Sequence, residues 1–132
     1  IKEGTSLCGR SWIYGRGRLS IGPDTWISPG GEFFTHLDAP IEIGSNCDIG
    51  PGCSFITGSH DLGGPERRAG TGWAAPIRVE AGCWIGAKSL LLGGITIGRG
   101  SVVAAGAVVT RSVPEGCLAA GIPAKPTKEL PR

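Results

Sequence analysis

Val79-Glu-Ala-Gly-Cys-Trp-Ile85-Gly-Ala-Lys-Ser-Leu-Leu91-Leu-Gly-Gly-Ile-Thr-Ile97-Gly-Arg-Gly-Ser-Val-Val103 places an aliphatic residue at every sixth position. The beat runs on to Val109 and, across one gap, back through Phe55, Ile49 and Ile43. Seven of these nine apolar positions are followed four residues later by a small side chain: Cys47, Cys53, Ser59, Cys83, Ser89, Ser101 and Ala107. A repeat this short and this sustained is the mark of a parallel β-helix, in which each hexad supplies one short strand and one turn. Three hexads then make a coil of 18 residues.

The composition follows from that architecture. Glycine fills 24 of 132 positions, against a usual ~7%, because frequent corners need backbone conformations that glycine adopts without a Cβ clash. A single coil cannot bury its own apolar face, so its neighbours must supply the core. With residues 59–76 set aside as a loop, the predicted stacks are Ile43 over Val79 over Ile97, Ile49 over Ile85 over Val103, and Phe55 over Leu91 over Val109. The length is that of one all-β domain, residues 1–132.

A formal charge of +2 with no block of five like charges gives no support to nucleic-acid binding. No apolar run of membrane-spanning length and no signal-peptide pattern are present, so no membrane insertion and a cytoplasmic setting are expected. Methionine is absent, and Ile1 is not the expected natural start. The five cysteines contain no CxxC pair, and Cys47, Cys53 and Cys83 occupy the small-residue hexad position, which reads as packing.

Chemistry is expected where the beat breaks, because insertions in a solenoid gather on one face. Ile21, Ile27 and Phe33 share a register four residues out of step with the later hexads, which implies an insertion near Thr35 to Asp38, with His36 inside it. The second break runs from Gly58 to Pro76. Gly63, Gly64, Pro65, Gly70 and Gly72 make it a loop by composition, and it carries Arg67 and Arg68.

The second break opens Thr57-Gly58-Ser59-His60-Asp61, and here the chain resembles the hexapeptide-repeat acyltransferases that use acetyl-coenzyme A, in particular the colanic-acid-type and galactoside-type sugar O-acetyltransferases. Trp84-Ile85-Gly86 is similar to the family's return into the helix. Ala104 to Lys128 is similar to its coenzyme A end. The resemblance covers roughly Ile41 to Leu130. It implies a left-handed β-helix, a homotrimer with active sites between subunits, acetyl-CoA as co-substrate, no metal, and a sugar or glycan hydroxyl as acceptor. Acyl transfer needs a group that removes a proton as the nucleophile attacks, and imidazole suits that near neutral pH. The resemblance makes His60 that base.

The family's coenzyme contacts carry over to Ala87, Ala105, Thr110, Arg111, Lys125 and Lys128, with Trp84 lining the groove beside the thioester. Lys125 and Lys128 stand where the galactoside branch has arginine, which keeps the charge but not the bidentate fork. On the acceptor side the branch's asparagine is missing: the comparable stretch reads Trp26-Ile27-Ser28-Pro29, and the only asparagine is Asn46. His36, Asp61 and Arg67 are the acceptor-binding candidates, and Glu32, read with His36 as part of the first insertion, is a further alternative. An amino-sugar N-acyltransferase and a non-enzymatic β-helix scaffold are the alternatives. A γ-type carbonic anhydrase would need three histidines for zinc, and this chain has His36 and His60 alone.

Overall fold

A computed structural model describes residues 1–132, all in strands, turns and connecting segments. Three parallel sheets form the walls of a triangular solenoid. The first holds β1 (Ser6–Leu7), β4 (Trp26–Ile27), β7 (Asp48–Ile49), β12 (Trp84–Ile85) and β15 (Val102–Val103), continued by β17 (Cys117–Gly121) and antiparallel β18 (Ala124–Glu129). The second holds β2 (Trp12–Tyr14), β5 (Glu32–Phe34), β8 (Ser54–Ile56), β13 (Leu90–Leu92) and β16 (Val108–Val109). The third holds β3 (Leu19–Ile21), β6 (Ile41–Ile43), β11 (Ile77–Val79) and β14 (Ile95–Ile97). Outside the walls, β9 (Gly58–Leu62) and β10 (Ala69–Ala74) pair antiparallel. This is a left-handed parallel β-helix. No helix is long and apolar enough to cross a membrane.

The hexad arithmetic gives the registers. Val79 pairs with Ile43 and Ile97, Ile85 with Ile49 and Val103, and Leu91 with Phe55 and Val109. All nine are buried, and they join Phe33, whose ring stacks on Phe55 with centroids 5.0 Å apart. The small side chain four residues on does more than allow close approach. Cys47 Sγ donates to Glu80 O at 3.2 Å, Cys53 Sγ to Gly86 O at 3.1 Å, Cys83 Sγ to Gly98 O at 3.2 Å and Ser101 Oγ to Pro114 O at 2.7 Å. Each ties a corner carbonyl of the next coil, which would otherwise be a buried acceptor without a donor. Burial pushes the Cys47 and Cys53 thiols up, and Cys83 up to about 11. All five cysteines are free. The three buried ones are packing and hydrogen-bonding groups, since a protonated thiol is a poor nucleophile.

Both insertions emerge at one corner, between the second and third sheets. The first closes at its neck through Ala39 N to His36 O at 3.0 Å, around Leu37 and Asp38. Glu32 lies below it, on β5 rather than within the insertion. The second departs after Thr57 and returns at Ala75, whose N–H donates to Thr57 O at 3.0 Å. It is not the open loop that its glycines and proline led us to expect. It is a hairpin arm, because backbone pairing needs no apolar side chains, and Gly58, His60 and Ser59 find partners in Ala74, Gly72 and Trp73. The C-terminal tail is likewise a strand, β18, laid against β17.

Candidate active site

The arm corner gathers the polar chemistry. His60 sits on β9 opposite Gly72, and its ring lies over that glycine: a Cβ there would stand 3.7 Å from Nδ1 and Cε1, an ordinary contact. His60 Nδ1 lies 3.0 Å from Gly70 O. A carbonyl only accepts, so Nδ1 carries the proton and the Nε2 lone pair is free. The orienting contact therefore comes from the arm's own backbone and not from Asp61, which follows His60 on the strand and by alternation leaves the opposite face.

His36 joins it. Phe34, His36, Gly58, His60, Gly72 and Trp73 line one cleft of about 500 Å³, a volume within the range of small-molecule sites. The sequence offered the two histidines separately; the structure puts them on one cavity. His36 Nδ1 is 2.8 Å from the hydroxyl of Thr57, which is fully buried and in turn donates to Phe34 O at 2.6 Å. Asp61 does not line the cleft, nor does Arg67, which sits exposed near the arm's tip, where Gly63 N to Arg68 O (2.8 Å) and Arg67 N to Gly64 O (3.1 Å) close the turn.

The coenzyme candidates are spread over the first sheet and two corners, and none lines the His60 cleft. Trp84 projects outward from β12, 58% exposed. Ala87 turns the corner after β12 and Ala105 the same corner one coil up, where Gly106 N donates to Ala87 O at 2.9 Å. That ladder corner, between the first and second sheets, presents small side chains in a row. Thr110 and Arg111 follow β16 and sit exposed on the arm corner. Lys125 and Lys128, opposite Ala120 and Leu118 on β18, are exposed too. Phe34, Thr57, Gly70 and Trp73 were not singled out from sequence. The register pairing Phe34 with Ile56 sets Thr35 beneath Thr57, so Thr57 could have been reached by counting.

Comparison with known proteins gives the chain's family. A model of the hexapeptide repeat of succinyl-transferase matches residues 76–111. A hexapeptide-repeat-containing acetyltransferase from Vibrio cholerae, solved with acetyl coenzyme A, superposes with a TM-score of 0.76 at 34% identity, over 98% of this chain and 73% of that one. The chain belongs to the hexapeptide-repeat acetyltransferase family. Among this family's curated members, the galactoside O-acetyltransferase of Escherichia coli is 27% identical over 129 residues, 84% of this chain and 64% of that protein. The chain spans about half the length of the curated relatives it matches: a Schizosaccharomyces pombe protein, 43% identical over 97 residues, is covered over 47% of its length and 73% of this one.

Proposed function

We propose that this chain is the catalytic β-helix of a cytoplasmic acetyltransferase that moves the acetyl group of acetyl-coenzyme A to a hydroxyl of a sugar or glycan precursor, with His60 as general base. The observation that carries the reading is the Nδ1–H bond from His60 to Gly70 O, which leaves Nε2 as a free base on a cleft. As the acceptor oxygen attacks the thioester carbon, Nε2 takes its proton. The tetrahedral adduct then collapses, the C–S bond breaks, and the imidazolium returns that proton to the departing thiolate. Holding thioester and hydroxyl together contributes as much as the base does. The acetyl coenzyme A bound by the Vibrio relative and the sugar in the Escherichia coli relative's name support the two substrates.

The split of the coenzyme residues supports a homotrimer. Ala87 and Ala105 lie on one corner, with Trp84 on the wall that leads into it, and His60 on another. A neighbouring copy that lays its ladder corner along the arm corner completes the groove, with Thr110, Arg111, Lys125 and Lys128 supplying polar and cationic groups for the coenzyme's phosphates. Asp61 and Arg67, on the arm, contact an acceptor only beyond the cleft itself.

Calorimetric titration with acetyl-CoA tests the first half of the reading, with one saturable site per chain expected; no binding at millimolar ligand would favour a non-enzymatic scaffold. His60→Ala tests the second half. Transfer should fall by ~10²–10⁴-fold with coenzyme affinity unchanged, and undiminished transfer would remove His60 from the mechanism.

A further inference from the structure

His36 is held more firmly than a surface histidine needs to be. Its Nδ1 meets Thr57 Oγ1 at 2.8 Å, and Thr57 has a single hydroxyl proton, already directed at Phe34 O, 2.6 Å away. The hydroxyl oxygen must therefore accept, and His36 Nδ1 must donate. That proton inventory fixes the neutral ring as the Nδ1–H tautomer and leaves the Nε2 lone pair unused. The ring also lies against Gly58: a Cβ at that glycine would stand 2.6 Å from His36 Cε1 and 3.0 Å from Nε2, so only a glycine lets it lie there. Thr57 is 0% exposed, which anchors the arrangement in the body of the solenoid rather than in the arm.

Two imidazoles thus border one cleft, each with Nδ1 anchored and Nε2 free. Only one base is needed for the transfer, so the second lone pair has another use. We propose that His36 is a specificity-determining residue: its Nε2 accepts a hydrogen bond from a second hydroxyl of the sugar acceptor while the first is delivered to His60, with Thr57 and Gly58 as the positioning residues that hold the ring for this. The proposal rests on the acetyltransferase reading above and names its acceptor class, a polyhydroxylated ring with at least two hydroxyls within reach of the cleft. A site built to pair with a hydroxyl discriminates against analogues that lack it, because its own polar group is then left unpaired.

The test compares wild type with His36→Ala, Thr57→Val, Thr57→Ser and Gly58→Ala, using methyl galactoside and its monodeoxy analogues as acceptors. Transfer to each sugar is read as kcat and KM. His36→Ala should raise the acceptor KM about tenfold, with a much smaller change in kcat. Wild type should lose a similar factor on one particular deoxy sugar, and His36→Ala should no longer distinguish that sugar from its parent. Thr57→Val and Gly58→Ala should reproduce the KM change, whereas Thr57→Ser should restore wild-type behaviour. Unchanged discrimination in His36→Ala would overturn the proposal, as would a fall in kcat with the acceptor KM unchanged.

A second readout needs no turnover. Nitrogen-15 imidazole spectra should show His36 as the Nδ1–H tautomer, losing that preference in Thr57→Val, and methyl galactoside should shift its Nε2 resonance. An Nε2–H tautomer, or an Nε2 signal unmoved while other cleft resonances shift, would overturn the assignment. Sugar-dependent shifts of His36 without any acetyl transfer would instead defeat the acetyltransferase reading and leave the sugar contact standing.

Discussion

Gly86→Ala should be among the most damaging single-methyl changes in this molecule, and the structure says how damaging. Gly86 is buried at the ladder corner, where its amide donates to Val103 O at 2.7 Å in the next coil. A Cβ there would sit 2.5 Å from Ala105 N, 2.8 Å from Val103 O and 2.9 Å from Ala104 C, all of them backbone atoms. No side chain can swing aside, so the two coils must part by about 1 Å to reach ordinary contact. Parting them breaks Gly86 N to Val103 O and Gly106 N to Ala87 O. Leaving the buried Gly86–Val103 pair unmade costs about 1–3 kcal/mol, and the Gly106–Ala87 pair, whose donor is exposed to water, adds less, so a loss of about 3 kcal/mol is expected out of a total of about 5–15 kcal/mol.

Gly106→Ala is the control. A Cβ at Gly106 meets nothing within 4 Å, and only its φ of +73° opposes the change, which predicts a loss of about 1–2 kcal/mol. Urea unfolding followed by tryptophan fluorescence would compare the two, with Trp84 two residues from the first substitution. If Ala87 and Ala105, beside Gly86, contact the coenzyme as proposed, acetyl-CoA affinity should fall with stability in Gly86→Ala and much less in Gly106→Ala. If Gly86→Ala cost no more than Gly106→Ala, the argument that coil spacing at this corner is set by backbone contact would be wrong.

Three further outcomes can be checked. Burial raises the Cys83 pKa from 9.0 to about 11, so the folded chain keeps a proton that the unfolded chain releases; that contribution is whole below pH 9 and is lost as pH climbs to about 11. The urea midpoint of wild type should drop more steeply over that window than that of Cys83→Ser, and parallel slopes would contradict the assignment. Lys88 has a φ of 57° at the corner position that Gly52 and Gly106 fill in the adjacent coils, so Lys88→Gly should stabilise by about 0.5 kcal/mol, read as a higher midpoint. Excising Gly58–Ala74 and joining Thr57 to Ala75 with two glycines should leave the circular dichroism spectrum and cooperative unfolding in place, since no residue of that arm is buried, while abolishing transfer.

The core was legible because a β-helix writes its contacts at a fixed interval. Once residues 59–76 were set aside, the pairs Val79 with Ile97 and Leu91 with Phe55 followed by counting. The arm was not legible, because its two strands are joined through backbone groups of residues such as Gly58, Gly72 and Ala74, which carry no alternating apolar signal. His60 could be found by resemblance, but its partner Gly70 could not, since a main-chain carbonyl leaves no trace in sequence. His36 and Thr57 lie 21 residues apart and meet because the intervening coil is lengthened by the first insertion. The separation of Ala87 and Ala105 from His60 was within reach of counting, because Val79 stands 36 residues, two coil lengths, after Ile43 and the second insertion leaves the hexad phase intact.

Each of the two excursions at the arm corner leaves the solenoid and rejoins it across backbone hydrogen bonds at its neck, the reciprocal pair between His36 and Ala39 and the bond from Ala75 N to Thr57 O. The corner is in effect a pair of sockets, stacked one above the other, whose electrical and mechanical connection to the chassis is independent of what is plugged in. Cassettes of other lengths and chemistries can be exchanged there without rewriting a single stacked residue, so acceptor preference and thermal stability can be altered separately in this molecule.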